Sequence, residues 1–182
     1  MGRTAAAAAS RRIVVGVAGS AASAAAVTWA AREAELRGAL LHAVHAWEPA
    51  ARGRAPYAPG PPGGHSDDER AAAALLRTVV GQGLDPVQPG RDGPLPEAVG
   101  PLLEVAEGLT VPVLLHCAAG AELLVLGSGQ PAADAAGGPV TELGPVARAC
   151  LRAAPCPVVT VGPQHTRPLA PGAFRRLAGV LS

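Results

Sequence analysis

Two glycine corners are the places where this chain could meet a ligand. Arg12-Ile13-Val14-Val15-Gly16-Val17-Ala18-Gly19-Ser20 is an apolar run that ends on glycine. Glu122 to Leu126 is a second such run, and it ends in Gly127-Ser128-Gly129. Glycines at such corners let backbone N–H groups approach phosphate oxygens. Catalytic patterns are missing. Neither Ser20 nor Ser128 sits in Gly-x-Ser-x-Gly, and no Gly-Lys-Ser/Thr phosphate loop occurs. His42 and His45 are three apart on an apolar run that reads as a strand, so they face opposite sides and do not share a metal. His116 and Cys117, read as strand neighbours, also point apart. Cys156 lies between two prolines and reads as a buried small residue. Asp85, Asp92 and Asp134 show no paired-carboxylate spacing. The expectation is no catalytic residue and no metal site.

The elements around these corners follow from apolar patterning. Arg11 to Val17 reads as strand one, and Ser20 and Ser23 are placed to cap the helix that runs to Arg37. Val27, Ala30, Ala31, Ala34 and Leu36 form an imperfect apolar stripe on that helix. Gly38 stops it. Leu40 to Trp47 is a near-continuous apolar run, as a sheet covered on both faces requires. Together these segments form a strand–helix–strand unit of a parallel sheet, where ligands sit at the strand ends. Ser66-Asp67-Asp68-Glu69 begins a second helix, with acids in its first turn, that stops near Gly81. Val146 to Ala153 reads as a helix and Pro157 to Val161 as the last strand.

The middle is ambiguous. Val111 to Cys117 reads as a strand, yet only Ala118-Ala119-Gly120-Ala121 separates it from Glu122. A parallel crossover needs on the order of a dozen residues. Either Val111 to Cys117 is an added or antiparallel strand, or Leu84 to Gln88 is strand three and Leu95 to Glu107 its helix. The second option is preferred because it restores a legal crossover.

Composition bounds the function. The 182 residues are 49% hydrophobic but only 2% aromatic, so the core is built from Ala, Val and Leu. All 15 basic residues are Arg, and with 14 acids the net charge is +1, which gives no nucleic-acid footprint. The 23 Gly and 19 Pro imply long loops at 48–66 and 82–94. The expected organisation is a disordered N-terminus at 1–10, one α/β domain at 11–162 and a flexible tail at 163–182. Three cysteines without Cys-x-x-Cys argue against a disulfide framework and fit a reducing cytoplasm. Ser10-Arg11-Arg12 before an uncharged run is similar to a twin-arginine export signal, but Ile13 to Val17 is β-branched and suits a strand better. The expected location is cytoplasmic, without a membrane span.

Arg12 to Ser20, Trp29 to Gly38, Val44-His45-Ala46-Trp47, Ala121 to Ser128 and Ala154 to Val161 resemble, in order, the universal stress proteins of actinobacterial type. The resemblance covers roughly residues 11–161 and is poor in the middle third. It implies an open parallel five-stranded α/β sheet in strand order 3-2-1-4-5, with helices on both faces. It also implies a homodimer through the last strand, here Pro157 to Val161, and, in many members, bound ATP with Mg. In those members an aspartate follows strand one, a residue ending strand two lies against the base, and a glycine loop wraps the phosphates. That loop runs Gly, two residues, Gly, nine residues, then Gly and Ser or Thr.

Carried over, the candidate nucleotide residues are Val17, Ala18, Ala46, Gly127, Ser128, Gly129, Thr141 and Gly144. The sequence departs from the pattern at several of them. Ala18 stands where the aspartate belongs, and Gln130 where the second loop glycine belongs. Counting from Gly127 puts Val140-Thr141 at the final pair. Counting back from Cys156 puts Gly144-Pro145 there. Two functions stay open: a small stress-response protein that binds an adenine nucleotide weakly without catalysis, and a dimeric interaction module with a vestigial site.

Overall fold

The structure, a computed structural model, describes residues 11–49, 64–84, 100–129, 132–133, 139–140 and 143–162. Its elements are β1 (Arg12–Gly16), α1 (Ala21–Arg37), β2 (Leu40–Trp47), α2 (Gly64–Leu84), β3 (Leu102–Glu107), α3 (Thr110–Ala118), β4 (Leu123–Gly127), α4 (Pro145–Ala153) and β5 (Val158–Val161). A two-residue antiparallel ribbon pairs Ala132–Ala133 with Pro139–Val140. The five strands form one parallel sheet in the order β3-β2-β1-β4-β5. This is the expected 3-2-1-4-5 order. The proposed segments 1–10 and 163–182, and most of both long loops, lie outside the described residues.

Continuous apolar strands bury both faces of this sheet. Ile13 and Val15 of β1 face α1 and α2, in a cluster with Val27, Ala30, Leu76 and Val125. Val14 faces the other way, against Leu114, Cys117, Leu124, Leu126 and Cys150, where α3 and α4 pack. Small side chains let the layers approach closely. A Cβ on Gly83 would fall 2.6 Å from Val27 Cβ, so α2 runs through Gly81 and Gly83 to Leu84 with α1 pressed against it. The sequence reading ended that helix near Gly81.

Local signals at α1 behave as read. The Ser20 side chain accepts from the Ser23 N–H, and Gly38 closes the helix at φ 60° with its N–H on the carbonyls of Ala34 and Glu35. One member of the expected stripe is corrected: Leu36 is 82% exposed. The buried face is instead Ala22, Ala26, Ala30 and Ala34 with Val27 and Thr28. Thr28 Oγ1 donates to the Gly83 carbonyl at 2.7 Å, satisfying an acceptor at the end of α2. Thr28→Val keeps the shape and removes that donor. Chemical denaturation should show a loss of about 1 kcal/mol, the net worth of one such bond. An unchanged midpoint would show that water replaces the hydroxyl.

The middle of the chain corrects both sequence alternatives. Strand three is Leu102–Glu107, paired in parallel with His42 to Trp47 of β2, and not Leu84 to Gln88. Leu84 closes α2, and 85–99 lie outside the described residues. Val111 to Cys117 is not a strand but the body of α3. Gly100 and Pro101 precede β3 and do not interrupt a helix. Gly108, at φ 146°, turns the chain after its N–H bonds the Trp47 carbonyl at 2.9 Å. Pro112 then falls in the first turn of α3, where its missing N–H costs nothing. Leu114, Cys117 and Ala118 form the buried i, i+3, i+4 stripe. Helix α3 is thus the crossover that β3 and β4 require. Arg12 of β1 closes its far end, donating from one guanidinium nitrogen to the carbonyls of Cys117 and Ala119, each at 3.0 Å.

Candidate functional site

The strand order reverses between β1 and β4, and a cavity of about 270 Å³ opens there at the C-terminal ends of the strands. Its position is dictated by topology: the chain leaves β1 toward one face and β4 toward the other, and the two exits part. From β1 and the turn after it come Gly16, Val17, Ala18 and Ser20, and from the first turn of α1 comes Ser23. β2 supplies Val44 and Ala46, and α3 supplies Thr110 and Leu114. Leu126, Gly127 and Gly129 come from the end of β4, and Gly144, Pro145, Val146 and Ala147 from the start of α4.

Hydrogen bonds fix the β1 corner. The Val17 N–H donates to the Val44 carbonyl at 2.8 Å, and the Ala18 N–H to Ser23 Oγ at 2.8 Å. His45 Nδ1 lies 2.8 Å from the Val17 carbonyl, which can only accept, so this nitrogen carries the proton. Ala18 is exposed at the mouth of the cavity.

The other wall is the N-terminus of α4. Gly144 sits at its cap with no side-chain bond, and Pro145 follows at the first position. The Gly144 N–H is already used on the Ser128 carbonyl at 2.9 Å, and Pro145 has none. The Arg148 N–H bonds back to Gly144. Of the first-turn donors that could meet an anion, Val146 and Ala147 remain, with no acceptor among the described residues. Gly129, at φ 96°, packs on this cap: a Cβ there would lie 3.2 Å from the Gly144 nitrogen.

Of the residues carried over by resemblance, Val17, Ala18, Ala46, Gly127, Gly129 and Gly144 meet around this one cavity. Ser128 does not line it. It is buried, with its N–H on the Val161 carbonyl and its own carbonyl on Gly144. Thr141 lies outside the described residues. The register counted back from Cys156 is therefore the one that brings a glycine to the helix start. The rest of the lining was not among the candidate site residues: Gly16, Ser20, Ser23, Val44, Leu126 and Pro145 border the expected corners, while Thr110, Leu114, Val146 and Ala147 come from helices α3 and α4. Pro112, three residues after an isolated Gly108-Leu109, is the signal that could have marked α3 as a helix.

An adenine nucleotide needs an apolar slot for its ring and donors for its phosphates. Val17, Val44, Leu114 and Leu126 fit the first need. The two free N–H groups of α4 fit the second only in part. Among the described lining residues no side chain is ionisable. The other reactive candidates lie elsewhere. Burial pushes the thiols of Cys117, Cys150 and Cys156 up, away from the thiolate form. His42 and His45 face opposite sides of the sheet, as their spacing implies. Among the described residues no group of His, Cys, Asp and Glu is arranged to hold a metal.

Fold and cavity define a doubly wound α/β protein with a ligand-sized opening at its switch point. The chain belongs to the universal stress protein family, whose model matches residues 9–162. Among solved structures, the universal stress protein UspA from Lactobacillus plantarum is 22% identical at a TM-score of 0.50, over 85% of this chain and 99% of that one. A family member from Burkholderia pseudomallei is 22% identical at a TM-score of 0.52, over 82% and 94%. A universal stress protein in complex with cAMP is 21% identical at a TM-score of 0.47, over 85% and 98%. No curated protein matches the sequence.

Proposed function

We propose that this chain is a small stress-response protein that binds an adenine nucleotide weakly at the ends of β1, β2 and β4, without turning it over. One observation carries this reading: the apolar cavity at the switch point faces the open N-terminus of α4. Apolar walls and a helix N-terminus are what a nucleobase and its phosphates recruit. ATP would arrive with Mg as the counter-ion of its own phosphates. Turnover is not part of the proposal, because a positioned acid or base is absent from the described lining. Differential scanning fluorimetry should show a small stabilisation that grows with Mg-ATP into the high concentration range. Micromolar saturation would overturn the weak-binding reading, and no shift at any concentration would overturn binding itself.

The second reading, a dimeric interaction module with a vestigial site, is favoured by Ala18 and by the loss of two donors at Gly144 and Pro145. Both readings share a homodimer through β5. Among the described strands β5 pairs only with β4, and Val158, Val159 and Thr160 remain partly exposed. A bare, uncharged, β-branched edge invites pairing with a copy of itself. Sedimentation should give a dimer at micromolar concentration, and a monomer would refute it. We place the protein in the cytoplasm, because its three cysteines are all free thiols. Among the described residues no helix is long and apolar enough to cross a membrane.

A further inference from the structure

Away from the cavity, toward the N-terminal ends of the strands, four polar groups meet where α3 covers the sheet, with His42 and Cys117 buried, Arg12 partly buried and the Glu104 side chain 43% exposed at the sheet edge. His42 is 2% exposed, and neither ring nitrogen has a hydrogen-bond partner. Its Nε2 lies 2.7 Å from Glu104 Oε2 of β3, close but without the alignment of a hydrogen bond. Glu104 Oε1 accepts from Cys117 Sγ of α3 at 3.8 Å. Arg12 of β1 holds the carbonyls of Cys117 and Ala119 and leaves its buried Nε unpartnered. These three neighbours, from β1, β3 and α3, are the charged and titratable groups that face His42.

We propose that His42, Glu104, Cys117 and Arg12 form a proton-sensitive clamp that holds edge strand β3 and helix α3 on the sheet at neutral pH and loosens them on acidification. A neutral imidazole is tolerated in this place. An imidazolium loses its water on nearly every side and gains one carboxylate in return, while the Arg12 guanidinium opposes it. Burial holds the His42 pKa below 6.5, with Glu104 pulling back up and Arg12 pushing further down. The open segment takes the proton near 6.5, so the clamp is complete above that pH and weakens as pH falls below it. Among the described strands β3 pairs only with β2, so opening can stay local. Helix α3 also brings Thr110 and Leu114 to the cavity, which ties acidity to its floor.

Hydrogen exchange on the full chain, corrected for intrinsic rates, tests this at pH 7.5 and 5.5. Opening of 102–118 should rise at pH 5.5, with a limit of about tenfold set by one His titrating near 6.5 only when open. Residues 123–127 of β4 should change less. His42→Gln should remove the response, and Glu104→Gln should move it toward the tenfold limit. Nuclear magnetic resonance of the native protein should place the His42 midpoint below 6.5, which decides the matter if a variant does not fold. A midpoint at or above 6.5, equal exchange at both pH values, or an acid response that survives His42→Gln would each overturn the clamp.

Discussion

Ala18→Asp should tighten Mg-ATP binding by about ten- to a hundredfold. Ala18 stands at the mouth of the cavity, and its backbone is already fixed by the bond from its N–H to Ser23 Oγ. Its side chain is exposed, so a carboxylate can be added without displacing a neighbour. An ionised carboxylate accepts two hydrogen bonds, which a ribose diol or an adenine amine can donate. A hydrogen bond to a charged group is worth roughly 1.5–3 kcal/mol, or about one to two powers of ten in dissociation constant. Calorimetry on the native chain and the variant reads this directly. AMP should gain as much as ATP, because the new contact is to the nucleoside. A variant that binds no better would show that Ala18 does not face a nucleotide. A gain for AMP with a loss for ATP would place the carboxylate beside the phosphates.

Gly127→Ala should destabilise the protein without any ligand present, by about 1–3 kcal/mol, the range for forcing an extra methyl into a packed core. In the proposed nucleotide reading, Gly127 is a phosphate-loop glycine. The structure shows it in a packing role. A Cβ built on it would lie 2.9 Å from the carbonyl carbon of Ala22, 3.0 Å from its oxygen and 3.1 Å from its Cβ. Those are backbone and near-backbone atoms of α1, and the Ser20 cap holds that turn in place. Relief therefore requires shifting the helix. Gly16 is a useful contrast: its added Cβ would meet Leu126 Cδ2 at 2.6 Å, the end of a side chain that can rotate away. Gly16→Ala should therefore cost less than Gly127→Ala. Denaturant unfolding of both variants checks the ranking. Full stability in Gly127→Ala, with nucleotide affinity alone reduced, would show that the glycine serves the ligand and not the packing.

These two residues show where sequence reasoning reached and where it stopped. Strands β1, β2 and β4 were legible because each is a long apolar run bounded by glycine or charge, and a doubly covered parallel strand admits little else. The ends of α1 were legible because a Ser cap and a left-handed Gly are local chemistry, needing no distant partner. The candidate corner at Val17-Ala18 and the glycines at 127 and 129 followed, since strand ends in such sheets are where ligands meet the chain. Strand three was not legible. Leu102–Glu107 carries two carboxylates, so it reads as polar helix, while Val111 to Cys117 is apolar and β-branched, so it reads as strand. In runs this short the helical and strand periods cannot be told apart. Only the sheet decided, by offering Leu102–Glu107 the open edge of β2 and burying Leu114, Cys117 and Ala118 on one face of a helix. The same assembly brought Thr110 and Leu114 into the cavity, and set Glu104 beside His42, 62 residues earlier in the chain. No local pattern encodes such neighbours, because they depend on which strand edges remain free once the rest of the chain has packed.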